Sequence, residues 1–471
     1  MIRSYGFCFL IAGLAIAGCG SDKGSPPADT GTSSDVGSDA KTDAAPSADV
    51  PAADKPATAD LPAVTDVNLP DAPAAVDSPA PLDVANADVA IDSSGSADLK
   101  PALDTARLEV SAVDLAGLES GSGEAGSAVT YVAALSGAQE VPPVATTATG
   151  SATFTLSADR TQLTYSVTHT VTGGTASHIH LAGAGENGAV IYPFTPFGST
   201  MTGTLTITAT DADNLEQGKM YVNVHSSTNP GGEIRGQILH PGDSLWVATL
   251  TGSQESPPVT STGTGTAAVI LGAAKTSLRY HVNTTGLTLT NAHIHKAVAT
   301  IAGGVIHPFS PIAAVMDGTI ALSGTDAQDL ADGLWYVNVH TVANPGGELR
   351  GQLMLPGEVL YSASLSGASE VPPVTTSATG GAQFILNTTG TSLRYQAAFT
   401  GLTATASHIH TGASGVNGNV LYPLTLTASG AAGTQPITAG DVTNLNAGNF
   451  YINAHTAANP NGEIRGQIGK P

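Results

Sequence analysis

Hydrophobic and polar residues alternate along most of the chain after residue 129. Eight short segments in the first part of this region are rich in Thr, Val, Tyr and Ile: TYVAAL, SATFTLS, QLTYSVTH, ASHIHLA, AVIYPF, TGTLTIT, MYVNVHS and EIRGQIL. A period of two is typical of β-strands with one buried face, and the Gly, Pro and Asn clusters between the segments indicate turns. One short helix is predicted at residues 211–219. The pattern predicts an all-β fold of antiparallel sandwiches or barrels.

The whole pattern occurs three times with a period of 115 residues. SGAQEVPPV, TGSQESPPV and SGASEVPPV begin the three units, and Glu140, Glu255 and Glu370 hold the same place in them. A unit of this size can enclose its own core, so the repeats are predicted to be tandem domains. Their predicted bounds are residues 130–240, 245–355 and 360–470.

The first residues of the chain are predicted to direct export. Arg3 precedes the apolar run FCFLIAGLAIAG, which is too short for a comfortable permanent span, and the run ends in IAGC at Cys19. This ending resembles a bacterial lipobox, so residues 1–18 are predicted to be a lipoprotein signal peptide and Cys19 the lipidated residue. Gly20 follows the cysteine, which implies the outer membrane and a periplasmic or surface-exposed protein. An ordinary signal peptide that happens to end in Cys is the alternative.

Residues 19–129 are predicted to form a disordered acidic tether. After residue 20 this stretch contains no aromatic residue and is rich in Ala, Asp, Pro and Ser, so it cannot bury enough apolar area to fold. A glycosylated stalk is the alternative interpretation. The chain has a net charge of −22 and no basic stripe, which argues against nucleic acid as a partner.

Nine of the 13 histidines lie in two motifs that each unit repeats, HIH and Y-[VI]-N-[VA]-H. Residues i and i+2 of a strand share a face, so the paired histidines point the same way, and the third histidine lies on the polar face of its own strand. Because the alternate residues are apolar and must line the core, the polar residues are expected on the outer face. The NPGG and NPNG turns predict that the last two strands form a hairpin.

Three converging imidazoles would bind zinc or copper and leave a fourth position for water or a ligand. The candidate ligands are His178, His180, His225, His293, His295, His340, His408, His410 and His455. The alternative is a hydrogen-bonded structural network with neighbouring polar side chains. The same polar face carries the predicted ion pairs Glu233–Arg235, Glu348–Arg350 and Glu463–Arg465, and Glu140 is expected beside it.

The second unit departs most from the others. It has AVATIAGGV after Lys296, and His307 stands where the other units have Tyr192 and Tyr422. A changed loop over the polar face predicts weaker or different metal binding in this unit.

The motifs SGAQEVPPV, SHIHLAGAGENGAVIYPF and YVNVHSSTNPGGEIRGQI together resemble the CHRD domain, a module named after chordin, an extracellular antagonist of bone morphogenetic proteins. The resemblance covers nearly all of the region predicted to fold. The HIH strand also resembles the ligand strand of copper/zinc superoxide dismutase, whose Greek-key fold the CHRD domain is expected to share. No unit has a clear fourth imidazole, a disulfide or the dismutase's metal-bridging loop.

The sequence therefore predicts an envelope-anchored lipoprotein whose three CHRD domains bind an unknown protein, surface ligand or metal ion without catalysis. A Ser-His-Asp set, a carboxylate pair and a phosphate-binding glycine loop are not evident in the sequence. The alternatives are a dismutase-like redox enzyme that uses the three-histidine sites and a structural surface spacer.

Overall fold

The computed structural model describes residues 126–471. The predicted signal peptide, Cys19 and nearly all of the predicted tether lie outside these residues. Within them, no helix is long and apolar enough to cross a membrane. The described region is all-β, as predicted.

The first unit contains eight strands, β1 to β8: Val129–Ser136, Thr149–Leu156, Gln162–His169, Gly174–Leu181, Ala189–Pro193, Thr200–Thr206, Met220–Ser226 and Ile234–Gln237. The second unit contains β9 to β16: Ser244–Leu250, Thr264–Leu271, Ser277–Thr285, Leu289–Lys296, Gly304–Pro308, Val315–Ala321, Trp335–Thr341 and Leu349–Gln352. The third unit contains β17 to β25: Val359–Ser366, Thr379–Leu386, Ser392–Thr400, Ala406–Thr411, Val420–Pro423, Leu426–Thr427, Gly430–Pro436, Phe450–His455 and Ile464–Gln467. The extra strand of the third unit is the two-residue β22.

Each unit contains one α-helix: α1 Ala209–Glu216, α2 Asp326–Ala331 and α3 Ala439–Asn446. The helix follows the sixth strand in the first two units and the seventh strand in the third. Thr208 caps α1, because its hydroxyl accepts from the Asp211 backbone while the Asp211 carboxylate accepts from the Thr208 backbone. This capping box explains why α1 lies slightly earlier than the predicted residues 211–219. A 3₁₀ turn follows the first strand of each unit: Gly137–Gln139, Gly252–Gln254 and Gly367–Ser369.

Each unit folds its strands into two antiparallel sheets with Greek-key connections. In the first unit, the two sheets have the orders β5-β4-β7-β8 and β1-β2-β3-β6, and they join between β8 and β1 into one eight-stranded order. Strand β3 pairs with β6, although β4 and β5 lie between them in sequence and belong to the other sheet. Strands β1 and β8 also meet, at Ser136 and Arg235, so the two sheets curl into a barrel-like body. The alternating apolar residues of both sheets fill a separate hydrophobic core in each unit.

The predicted hairpin of the last two strands is present. Strands β7 and β8 pair in antiparallel fashion, and the Gly232 backbone donates to the Asn229 carbonyl across the turn. Gly232 has a φ of 138°, a conformation that an L side chain rarely adopts.

The loop after the HIH strand, here called the covering loop, comprises residues 182–188, 297–303 and 412–418 in the three units. In the first two units it also contacts the next domain. Ala184 packs in a small cluster with Leu245, Ala268 and Ile270 of the second unit. Ala299 packs in the same way with Leu360 and Ile385 of the third unit.

Candidate metal centre

The three histidines of each unit lie together on the two central strands of one sheet. Strands β4 and β7 pair so that His180 faces Tyr221 and His178 faces Asn223, while Ile179 points into the core from the opposite face. His225 lies on the same face as His178, two residues beyond Asn223 on β7. The three trios are His178, His180 and His225, then His293, His295 and His340, then His408, His410 and His455, with candidate ligand atoms within 4.8 Å of one another. The structure therefore assembles every predicted ligand set.

Backbone carbonyls fix the ring orientation of two histidines in each trio. In the first unit, His180 Nδ1 lies 2.9 Å from the Gly188 carbonyl and His225 Nδ1 lies 2.9 Å from the Pro230 carbonyl. A carbonyl oxygen only accepts, so each Nδ1 donates and each Nε2 presents a lone pair to the trio. The second and third units repeat these contacts, with carbonyls of Gly303, Pro345, Gly418 and Pro460.

The inward nitrogens lie close together and away from solvent. His178 Nδ1 is 3.1 Å from His225 Nε2, and His408 Nδ1 is 3.0 Å from His455 Nε2. In the second unit, His293 Nδ1, His295 Nε2 and His340 Nε2 are buried and have no hydrogen-bond partner within residues 126–471.

Burial keeps most of these imidazoles neutral. The pKa is lowered, first by burial, for His178, His180, His293, His295, His340, His408 and His455. For His178, His293 and His408, the neighbouring histidines lower the pKa further. Neutral imidazole is the form that binds a metal ion.

The polar residues lie on the face away from the core, as predicted, but the covering loop buries them. His180, Asn223 and Arg235 are 7%, 2% and 1% exposed. The Arg235 guanidinium donates to the Glu186 and Gly183 carbonyls of the covering loop and lies 3.4 Å from the centre of the Tyr221 ring. The other side of Tyr221 stacks on His180, with ring centres 4.8 Å apart. Loop carbonyls and an aromatic face thus replace solvent around the buried cation.

The predicted ion pairs between Glu and Arg are also wrong. Arg235 turns toward the covering loop, whereas Glu233 accepts from Thr146 at 2.9 Å. In the third unit, Glu463 accepts from Thr376 and Thr456 at 2.8 and 2.5 Å. In the second unit the two charges are likewise bound by different partners. Glu348 accepts from Ser261, Thr341 and Asn344. Arg350 donates to the backbone carbonyls of Val298 and Ile301. Loop hydroxyls, amides and carbonyls satisfy both charges separately.

Glu140 lies beside the polar face, close to Asn223 and Gly232. Its Oε1 is buried without a hydrogen-bond partner among the described residues, as are the same atoms of Glu255 and Glu370. Burial raises the pKa of Glu140 to about 7, and the nearby Arg235 opposes this shift. The expected position of Glu140 beside the polar face therefore holds.

The model of the CHRD domain matches residues 131–238, 246–353 and 361–468. The chain belongs to the CHRD domain family. It is 30% identical to "Chordin" from Xenopus laevis over 173 residues, which cover 31% of this chain and 18% of that protein. No solved structure matches the chain.

The second CHRD domain keeps its trio despite the altered covering loop. Gly303 still accepts from His295, and the Val298 and Ile301 carbonyls still accept from Arg350. His307 lies elsewhere, beside the N-terminal end of α2, where its Nε2 is 3.5 Å from Asp326. Tyr192 of the first domain contacts Asp211 in the corresponding place. The weaker metal binding predicted for this domain stays a prediction, without support from the trio's own contacts.

The carbonyl partners of the histidines could not be read from the histidine pattern. The carbonyl partners come from loops, whose backbone path the sequence does not specify. Tyr221 and Asn223 belong to the same alternating strand face as His225, and the same residue types recur at these positions in each unit. That recurrence is the sequence feature that could have indicated their part in the site.

Proposed function

We propose that each CHRD domain binds one zinc or copper ion through its three histidines, as part of an extracellular binding protein without catalytic turnover. The observation that carries the proposal is in the second domain. Three buried nitrogens, His293 Nδ1, His295 Nε2 and His340 Nε2, face one another without a partner in the described chain. A buried polar atom without a partner costs about 1–3 kcal/mol, and one cation would satisfy all three lone pairs.

The donor set suits these metals. Imidazole nitrogen is a common ligand for zinc and copper, at about 2.0–2.1 Å for zinc. Two ligands of one tetrahedral zinc ion lie about 3.4 Å apart, so the more widely separated nitrogens of the trio must move closer together on binding. The carbonyl bonds to Nδ1 of His180 and His225 would hold the ligand rings in place, as outer partners of metal-bound histidines commonly do.

The CHRD domains point to an extracellular binding role. We propose that Cys19 carries a lipid that anchors the protein in the outer membrane, with residues 19–129 as the tether. The ending IAGC of the apolar N-terminal run supports this anchor. The partner would be a protein or surface ligand that the sequence does not identify.

Lipid attachment is tested by Cys19→Ala in the exporting bacterium. The variant should lose metabolic labelling by a fatty acid and leave the membrane fraction. Continued labelling would show that the anchor is elsewhere.

Metal binding is tested by equilibrium dialysis of the mature chain against zinc or copper, with a weak chelator to remove ions from the acidic tether. The wild type should retain three equivalents, and His180→Ala, His295→Ala and His410→Ala should each lose one. His240→Ala is the matched control, because His240 lies outside the trios and contacts Glu216. Fewer than three equivalents in the wild type would contradict binding by every domain, and turnover of superoxide by the copper-loaded chain would favour the redox alternative.

A further inference from the structure

An asparagine lies at the centre of each histidine trio. Asn223, Asn338 and Asn453 each pair across the sheet with the first histidine of the HIH motif, and each stands two residues before the third histidine. Alternation places the asparagine and that third histidine on one face. All three asparagines are buried.

The amide oxygen points at the histidine lone pairs. Asn453 Oδ1 is 3.1 Å from His410 Nε2 and 3.0 Å from His455 Nε2. Both histidines already donate from Nδ1 to backbone carbonyls, so as neutral rings they have no proton on Nε2 to offer. In the first two domains, the Oδ1 atoms of Asn223 and Asn338 are buried without a partner inside the described region. Several lone pairs thus face one another, and a cation between them would remove their repulsion.

The other end of the amide holds this orientation. Asn338 Nδ2 donates to Glu255 Oε2 at 3.2 Å, and Asn223 Nδ2 donates to the Gly231 carbonyl at 3.5 Å. Reversing the amide of Asn223 would direct its oxygen at the Gly231 carbonyl, which only accepts. The surroundings therefore favour Oδ1 toward the trio.

We infer that Asn223, Asn338 and Asn453 supply the fourth ligand of each metal ion through Oδ1. This inference rests on the proposed function and replaces the open fourth position expected from the sequence. Three imidazoles and one amide oxygen form a closed set of four protein ligands, which is characteristic of structural zinc sites. A closed set holds its ion without a position for substrate, which agrees with a binding role.

The test uses cobalt(II), which substitutes for zinc and reports coordination through its visible absorption. His180→Ala and His295→Ala are combined in the full mature chain so that the third site alone remains. Asn453→Leu should weaken cobalt binding in this background about tenfold to a hundredfold and change the band intensities as water enters the site. Asn453→Asp should bind at least as tightly as Asn453, because it keeps an oxygen ligand and adds charge. Asn446→Ala, at the exposed end of α3 where the side chain accepts from Tyr361 and makes no contact with the trio, is the control and should change neither measurement.

The outcomes separate the two proposals. Cobalt binding that Asn453→Leu leaves unchanged in affinity and spectrum would overturn the fourth ligand while leaving the histidine site intact. Failure of the background chain to bind cobalt at all would overturn the proposed function and this inference together. Circular dichroism checks that Asn453→Leu is folded. If it is not, the cobalt affinity and spectrum of Asn453→Asp decide whether residue 453 contributes a ligand.

Discussion

At the scale of single residues, each imidazole of the trio is held by several different contacts. His180 donates from Nδ1 to Gly188, stacks its ring on Tyr221 and turns Nε2 toward the other histidines. Its tautomer, ring rotation and position are therefore fixed before any ion binds. Such preorganisation reduces the ordering cost of binding.

Gly232 provides a direct test of how tightly the polar face is packed. Its φ is 138°, and an added Cβ would lie 2.5 Å from Glu140 Oε1 and 2.7 Å from Asn223 Nδ2. Gly232→Ala should therefore destabilise the first domain by about 2 kcal/mol or more, through backbone strain and displacement of the carboxylate. Thermal unfolding of the metal-free chain measures this.

Gly231→Ala is the matched control for that substitution. A Cβ at Gly231 would have no atom within 4 Å, and its φ is not positive. Equal melting temperatures for the two variants would contradict the described packing around Glu140.

The sequence predicted which residues share the polar face, but it could not predict their burial. Alternation alone placed His178 and His180 together and opposite Ile179. Burial of Arg235 depends on carbonyls of the covering loop and on the Tyr221 ring, which are distant in sequence. Without that loop, a charged residue on a strand is reasonably expected to face solvent and pair with the nearest carboxylate.

At the scale of elements, local signals were sufficient for the strands and for the last hairpin. The NPGG turn joins β7 to β8 because its residues accept the tight backbone path that the hairpin needs. The pairing of β4 with β7 is different, since α1 and two other strands lie between them in sequence. Only the repeated occurrence of both histidine motifs suggested that pairing.

The covering loop of the second unit differs in its side chains and keeps its backbone contacts to the trio and to Arg350. AVATIAGGV differs from AGAGENGAV, yet the contacts to His295 and Arg350 come from backbone carbonyls. A backbone carbonyl is present whatever the side chain, so the loop can change composition and retain these bonds.

At the scale of the whole molecule, the domains have separate cores but are joined through their covering loops. Glu186 of the first domain lies 3.2 Å from His281 Nε2 of the second, and Asp317 lies 2.7 Å from His281 Nδ1. Lys219 also contacts Asp317, at 3.0 Å. The corresponding positions of the third domain are Gln396 and Ala432, so the second junction lacks this charged group.

This difference predicts that the first junction responds to pH. The two carboxylates raise the pKa of His281 despite its burial. The charged histidine therefore stabilises the junction fully below its unfolded pKa of about 6.5, and this contribution is lost as pH rises through the higher folded pKa. The distribution of distances between spin labels on the first and second domains should be broader at pH 8.5 than at pH 6.

Two controls accompany that measurement. Labels on the second and third domains should give the same distances at both pH values, and His281→Gln, which installs the residue type of Gln396, should remove the response of the first junction. Identical distances across the first junction at pH 6 and pH 8.5 would contradict the role assigned to His281.

The most direct test of the central claim is anomalous X-ray diffraction at the zinc absorption edge, on crystals of residues 126–471 grown with zinc. The account predicts three peaks per chain, one within each trio, bonded to both histidines of the HIH motif and the third histidine. Peaks confined to surface carboxylates, or histidine trios without anomalous density at saturating zinc, would show that the histidines form a hydrogen-bonded network instead.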